Sequence, residues 1–258
     1  MGLRHQVQGS RFELKYIISE RSARAIRDFA RRYLVPDGHG EPQQHRAYTV
    51  CSLYMDSADL ALCRATMDGV RSRYKLRIRF YDDSPESPAY FEIKRRVDNI
   101  TSKERAAVRR SSIPGLLAGH RPRQTDLANG NAESLRALHR FCDLRSAIQA
   151  HGQVFVSYTR EAYIPAAGNS VRLNFDRHLS ARKYERGLVP ANPDGGFHPR
   201  LGGVILELKF SKRFPSWMRD MVQIFNLERC RMPKYVTCVR SLRTREFRLM
   251  PQIQGAEV

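Results

Sequence analysis

The sequence has few cysteines and no recognisable metal-binding spacing. Its five cysteines are odd in number and include no Cys-x-x-Cys pair, which argues against a disulfide framework and against a zinc site of the usual spacing. The eight histidines form no His-x-His or His-Glu-x-x-His pattern. We therefore interpret the cysteines as reduced, mostly buried thiols of a cytosolic protein.

Long apolar stretches are also missing. The N-terminal residues MGLRHQVQGSRFELK lack the apolar core of a signal peptide, and no later segment is a run of about 18 apolar residues. The sequence thus predicts a cytoplasmic chain without a transmembrane segment of its own. Electrostatic association with the inner face of a membrane, or with a membrane-protein partner, remains an alternative.

Positive charge is abundant. The 258 residues contain 45 Lys and Arg against 26 Asp and Glu, a formal net charge of +19. Such an excess predicts an anionic partner, which can be nucleic acid, an anionic membrane or a polyphosphorylated small molecule. The length suits one domain over residues 1–258, with a frayed tail after Leu249.

Period-two alternation of apolar and polar residues recurs along the chain and predicts strands. The predicted strands are Arg11–Ile18, Ala47–Met55, Ser72–Asp82, Ala89–Arg95, Arg105–Arg110, Gln153–Tyr163, Val171–Phe175 and Gly203–Phe210. Amphipathic helices are predicted at Ser19–Tyr33, Ser57–Met67, Ala132–Ala150 and Pro215–Arg229, and a long loop at Ser180–Gly202. We expect an α+β fold in which eight antiparallel strands close into a barrel with helices packed on its outside.

The strands share an unusual charge pattern. In KLRIRF, residues 75–80, three cations alternate with three apolar residues and so lie on one face of a strand. The same pattern places Glu13 with Lys15, Glu92 with Lys94, and Glu207 with Lys209. An ordinary sheet with its charged face in water is one interpretation. A barrel with a basic interior is the other, and it is favoured because rows of like charge destabilise a sheet unless an anion binds there.

Phosphate is the ligand that such an interior suits best, because Arg offers a bidentate fork to phosphate oxygens and Lys a point charge. A carboxylate among these cations repels phosphate unless it holds a divalent metal that bridges to phosphate oxygens. Glu207 is the best candidate for such a ligand. Glu13 and Glu92 can instead be ion-pair partners that orient neighbouring cations.

An ordered set of motifs resembles a known family. RFELKY, SLYMDS, KLRIRFY, FEIKRR with SKER, YTREAY, VRLNFDR, LELKF and MPKYVTC span nearly the whole chain. Together they resemble the triphosphate tunnel metalloenzymes of the CYTH-like superfamily, and within them the catalytic domain of the vacuolar transporter chaperone (VTC) complex. The resemblance implies a tunnel that binds ATP or another nucleoside triphosphate. It also implies transfer of the γ-phosphate to inorganic polyphosphate, assisted by Mn²⁺ or Mg²⁺.

The resemblance also implies site residues, motif by motif. The implied phosphate ligands are Lys15, Arg77, Arg79, Lys94, Lys103, Arg160, Arg172 and Lys234. Second contacts to phosphate or nucleotide are implied at Lys75, Arg105, Tyr158 and Lys209, and the metal ligand at Glu207. Tyr48 or Tyr54 can stack on the base, although a place in the core is the simpler interpretation of either.

Two departures from the family pattern affect the functional interpretation. Hydrolytic relatives begin with Glu-x-Glu-x-Lys, whereas Arg11 occupies the first acidic position here, which disfavours triphosphatase or cyclase chemistry. The regulatory domain and membrane helices of the eukaryotic subunits have no counterpart in this sequence. The alternatives are a triphosphate or polyphosphate hydrolase and a non-catalytic polyphosphate binder. Nucleic-acid binding is disfavoured because the strand phenylalanines lie on the face opposite the cations.

Overall fold

A computed structural model describes residues 11–38, 47–98, 100–168, 170–185 and 195–249, apart from the side chains of residues 245–249. The tail after Leu249 lies outside these residues. The strands are β1 (Phe12–Ile18), β2 (Val35–Pro36), β3 (Ala47–Asp56), β4 (Ser72–Phe80), β5 (Ala89–Val97), β6 (Ile100–Val108), β7 (His151–Ile164), β8 (Val171–Lys183) and β9 (Val204–Phe210). The helices are α1 (Glu20–Ala30), α2 (Ala61–Met67), α3 (Ile113–Leu117), α4 (Ala132–Ala147), α5 (Ser216–Ile224) and α6 (Lys234–Leu249). Within these ranges no helix is both long and apolar enough to cross a membrane.

All the strands belong to one antiparallel sheet in the order β1-β9-β8-β7-β3-β4-β5-β6, with β2 paired to β7. The two ends of this order meet at one bridge, where Arg11 and Thr101 exchange backbone hydrogen bonds of 3.0 and 3.1 Å. The expected α+β class, with a large antiparallel sheet and helices, is confirmed. The closed barrel is confirmed only in part. In the described residues the sheet curls until its edges touch, but no continuous ladder joins β1 to β6.

The alternation in β4 explains which face carries the charge. Leu76, Ile78 and Phe80 are fully buried in a core that α3 and α4 cover. A second core packs α1 and α5 against the same outer face of β1, β8 and β9. The charged residues of these strands therefore lie on the inner face of the curled sheet, as the interpretation with a basic interior requires.

Helix α6 was not predicted, and it departs from the expectation that the helices lie outside. Tyr235 and Val239 of α6 pack against Tyr54, Val156 and Ile205, which lie on the inner face of the sheet. The inner positions at this end are apolar, so a helix can cover them at no cost in buried charge. Helix α6 thus fills one part of the interior and leaves the rest to the cations.

Two strand boundaries differ by more than two residues from the predicted ones. Strand β6 begins at Ile100 instead of Arg105, and β8 continues to Lys183, into the predicted loop Ser180–Gly202, of which residues 186–194 lie outside the description. The register of β7 and β8 shifts between Ser157 and Thr159, and His178 opposite has a φ of 51°. Such a bulge breaks the period-two pattern on which the prediction relied.

Asp56, at the end of β3, anchors both α2 and α6. Its carboxylate accepts hydrogen bonds from the backbone N–H of Leu62 and Cys63, both at 2.9 Å, and from the Tyr235 hydroxyl at 2.8 Å. The side chain is fully buried. Asp56 thus caps the first turn of α2, and its further bond to Tyr235 fixes α6 in the interior.

We expect Asp56→Ala to lower the free energy of unfolding by about 3 kcal/mol, because it leaves several buried donors without a partner. Tyr235→Phe removes one neutral hydrogen bond and should cost about 1 kcal/mol. Urea denaturation followed by circular dichroism measures both. Equal effects of the two substitutions would contradict this role of Asp56.

Candidate anion-binding site

Eleven cationic side chains converge on the inner face of the sheet, and we call them the basic cluster. Its members are Lys15, Lys75, Arg77, Arg79, Lys94, Lys103, Arg105, Arg160, Arg172, Lys209 and Lys234. Five carboxylates lie among them, those of Glu13, Asp37, Glu92, Asp176 and Glu207. Eleven formal positive charges against five negative ones leave an excess of six. The structure thus places all the cations implied by the sequence motifs in one region.

Glu207 on β9 is the centre of one half of the cluster. Its Oε1 lies 2.7 Å from Lys234 Nζ and 3.3 Å from Lys15 Nζ, and its Oε2 lies 3.0 Å from Lys209 Nζ and 3.2 Å from Arg160 Nη2. Burial raises the pKa of Glu207, but the surrounding cations outweigh burial and hold the pKa well below its usual value. The carboxylate is therefore ionised and fully engaged.

Asp176, which the motifs did not single out as a site residue, completes this half. Arg160 donates to both of its oxygens at 2.7 Å, and Lys234 Nζ lies 2.5 Å from Oδ2. Burial lowers the pKa of Lys234, but Asp176 and Glu207 outweigh burial and raise it overall. Arg160 and Lys234 are thus permanently charged and held in fixed positions. The sequence offered one signal for Asp176: in VRLNFD it lies two residues after Asn174 and therefore on the same charged face of the strand.

Lys234 reaches the cluster because the segment before α6 pairs with β1. The backbone N–H of Cys230 donates to the Lys15 carbonyl at 2.9 Å, and Lys15 Nζ donates to the Met232 carbonyl at 3.0 Å. This pairing places the first residue of α6 beside Glu207. A lysine some 25 residues after the last strand therefore joins the site through backbone contacts that the sequence does not reveal.

Glu92 on β5 is the centre of the other half and is fully buried. Arg77 contacts its Oε2 through Nε and Nη2, both at 2.7 Å. Arg79 Nη1 lies 3.9 Å from Oε2, while Lys103 Nζ and Arg105 Nε lie 3.7 and 3.5 Å from Oε1. Among the residues that the structure describes, no group donates a hydrogen bond to Oε1. Three of these four cations are thus only loosely paired with Glu92.

The lysines between the two halves differ in how far carboxylates offset their charge. Lys94 pairs with Glu13 at 2.8 Å. Burial lowers the pKa of Lys75 to about 7, and the charges of Lys15 and Lys94 add to the shift. Burial also lowers the pKa of Lys209 to about 7, although Glu207 opposes the shift. A polyanion placed here would stabilise the protonated form of both lysines.

Aromatic side chains have separate roles. The Tyr158 ring lies against Arg160 and Lys234, at 5.1 and 4.8 Å from its centroid, so it supports these cations. Tyr54 stacks on Tyr235 at 4.7 Å and belongs to the core, which removes it as a platform for a base. Direct contact of Tyr158 with a phosphate or nucleotide stays a prediction.

Tyr48 lies at one end of the cluster. Its hydroxyl accepts from Arg172 at 3.1 Å, and Arg172 also pairs with Asp37. The rings of Tyr48 and Tyr81 are 6.2 Å apart, and the ring of Tyr90 follows at 5.6 Å from Tyr81. These three rings form an aromatic border beside the cations.

The side chains around Glu207 do not fit a preformed metal site. Both carboxylate oxygens already contact ammonium or guanidinium groups. In the part of the chain that the structure describes, no three His, Cys, Asp or Glu side chains are arranged to hold a metal ion. Metal ligation by Glu207 stays a prediction from the family resemblance.

A cavity of about 630 Å³ opens the basic cluster to solvent between β1, β4, β5 and the segment before α6. Its inner wall includes Lys15, Lys75 and Lys94. Arginines border its mouth, and we call Arg71, Arg73, Arg96, Arg229 and Arg231 the arginine rim. The sequence analysis missed the rim, because two of its members follow β9 and α5 in the chain and meet β4 and β5 only in the fold.

The curled antiparallel sheet and its basic interior are typical of proteins that bind anions in a tunnel. The VTC domain family matches residues 10–243, and this chain belongs to that family. Membership confirms the resemblance drawn from the motifs and supports a function on triphosphates or polyphosphate. No curated protein sequence matches the chain.

Solved structures with a similar course of the chain are distant in sequence. The PH1819 protein of Pyrococcus horikoshii OT3 is 11% identical with a TM-score of 0.45, and the alignment covers 90% of this chain and 99% of that one. A Bacillus halodurans protein suggested to be an adenylate cyclase is 13% identical with a TM-score of 0.46, covering 88% and 96%. One from Vibrio parahaemolyticus with the same suggestion is 11% identical with a TM-score of 0.42, covering 88% and 97%. At these values we draw no conclusion from the likeness.

We expect the double substitution Arg77→Ala and Arg79→Ala to weaken tripolyphosphate binding at least a hundredfold, because two charge-assisted contacts are lost. Arg95→Ala is the matched control, since Arg95 lies on the outer face of β5 beside Glu104. Isothermal titration calorimetry measures both affinities. Native-like affinity of the double variant would show that the cluster does not bind the anion.

We further expect affinity for tripolyphosphate to fall as the pH rises from 6 to 9. Lys75 and Lys209, with pKa values of about 7, and Lys103, at about 8, lose protons in this range. Because the anion favours the protonated ammonium groups, binding raises these pKa values and takes up protons. Calorimetry in buffers of different ionisation enthalpy measures the uptake. Lys75→Arg with Lys209→Arg should flatten the profile, and an unchanged slope would contradict the assignment.

Proposed function

We propose that the protein is a polyphosphate polymerase, which transfers the γ-phosphate of ATP to a growing inorganic polyphosphate chain. The observation that carries the proposal is the convergence of eleven cations with only five carboxylates inside the curled sheet. A triphosphate and a phosphate chain together supply the negative charge that this interior lacks. Membership of the VTC domain family supports the same class of reaction.

The proposed reaction is an in-line phosphoryl transfer. A terminal oxygen of the chain forms a bond to the γ-phosphorus, and the bond from that phosphorus to the β,γ-bridging oxygen breaks. The electron pair leaves with ADP. The attacking oxygen is already ionised, so no general base is required. The protein has to align donor and acceptor and to offset the charge of the transferred group.

The two halves of the cluster suit different parts of this task. Arg160 and Lys234 are fixed by Asp176 and Glu207, so they can define the position of the transferred phosphoryl group without reorganisation. Arg79, Lys103 and Arg105 are held loosely by Glu92, so they can adjust to phosphates at changing positions along a chain. A site that extends a polymer needs both properties.

The test is incubation of the pure protein with ATP and Mn²⁺, or Mg²⁺ in a parallel reaction, followed by phosphorus NMR and gel analysis. Polyphosphate chains together with ADP are expected. Arg160→Ala should abolish them, and Arg95→Ala on the outer face should not. Orthophosphate or pyrophosphate without chains would establish a hydrolase instead. Tight triphosphate binding without turnover would establish a non-catalytic binder.

A further inference from the structure

Exposed apolar side chains surround the arginine rim. Met67 and Val70 precede β4, and Val97 and Ile100 flank the turn between β5 and β6. Their exposed fractions are 51, 45, 52 and 46%. They account for four of the nine exposed large hydrophobic residues among the described ones, and we call them the apolar border. Single exposed aliphatic residues are common, whereas four at one edge need an explanation.

Backbone pairing makes the apolar border and the arginine rim one surface. Ser72 pairs with Val97, Arg73 with Arg96, and Val97 with Ile100. The Asp98 N–H donates to the Arg71 carbonyl at 3.0 Å. Arg231 reaches the same edge, where its Nη1 would lie 4.0 Å from a Cβ added at Gly69. The border and the rim therefore lie at the same edge of the sheet, beside one mouth of the cavity.

Positive charge dominates this surface. Its carboxylates are Asp98, which pairs with Arg71 at 2.7 Å, and Asp68, while the rim contributes five arginines. Behind the rim, the cavity wall contains Lys15, Lys75 and Lys94 and one carboxylate, Glu13. An electropositive edge bordered by aliphatic side chains matches an anionic lipid interface, which offers headgroup phosphates and, just below them, acyl chains.

We propose that this mouth docks on an anionic membrane surface, with the rim on headgroup phosphates and the apolar border inserted beside them. The proposal is independent of the reaction that the interior performs. A nucleic acid suits the surface less well, because single strands stack on aromatic rings. The one aromatic ring that lines the described cavity, Tyr74, lies under the Arg95 guanidinium. Docking would set the cavity mouth against the membrane.

The experiment is co-sedimentation of the full chain with vesicles of phosphatidylcholine alone and of phosphatidylcholine with phosphatidylglycerol. We expect binding to the mixed vesicles and little to the neutral ones. Val97→Ser with Ile100→Ser should reduce binding about tenfold, because the inserted apolar area is lost. Arg229→Gln and Arg231→Gln should each reduce it about fivefold.

Matched controls separate docking from the general attraction of a basic protein to anionic lipid. Val35→Ser with Ile224→Ser removes the same side chains from exposed positions elsewhere. Arg121→Gln and Arg136→Gln, each made as a single variant, lower the net charge by the same one unit at other exposed sites. All of these controls should bind like the native chain, and thermal unfolding checks that every variant is folded.

Three outcomes would overturn the proposal. Absence of binding to the mixed vesicles is the first. Native-like binding of the Val97 and Ile100 variant is the second, because the chain would then adsorb by charge alone. The third is a selective loss of binding to a single-stranded DNA oligomer in the Arg229 and Arg231 variants while vesicle binding is kept, which would assign the rim to nucleic acid.

Discussion

The pairing of buried carboxylates with cations is the interaction on which the interior depends. Charges removed from water are costly unless they are paired and hydrogen-bonded, and like charges side by side add to the cost. Asp176, Glu207 and Glu92 meet this requirement for about half of the cluster, through contacts of 2.5 to 3.3 Å to their nearest cations. The carboxylates do not neutralise all the cations. The folded protein therefore retains an excess of positive charge that an anionic ligand can neutralise.

Uneven compensation gives chemically identical side chains different properties. Lys234 touches two carboxylates, and its pKa is raised, whereas Lys75 faces other lysines, and burial lowers its pKa to about 7. The first is a fixed structural charge. The second gains most when an anion arrives, since binding restores a proton that burial disfavours. Lys234 thus contributes a fixed charge to the site, whereas Lys75 contributes mainly to the affinity for an anion.

The sequence was informative where period-two alternation held. In KLRIRF the alternation alone separates core residues from site residues. The ordered motifs predicted that cations far apart in the chain belong to the same site. It failed where tertiary contacts decide the structure. The apolar residues of α6 pack on the charged side of the sheet, and the bulge near His178 shifts the phase of β8. The sequence did not predict the roles of Asp176 and the arginine rim, because their neighbours come from distant segments of the chain.

The single bridge between Arg11 and Thr101 has a mechanical consequence. A closed ladder resists any increase in its circumference, because every strand pair must lose hydrogen bonds at once. In the described residues, the edges β1 and β6 are joined by two backbone hydrogen bonds, and the Lys94–Glu13 ion pair connects β1 to the next strand, β5. The curled sheet is therefore an open ring that can widen at one place, between β1 and β6. The polyphosphate chain of the proposed reaction could enter or leave such a ring sideways, without being threaded from its end.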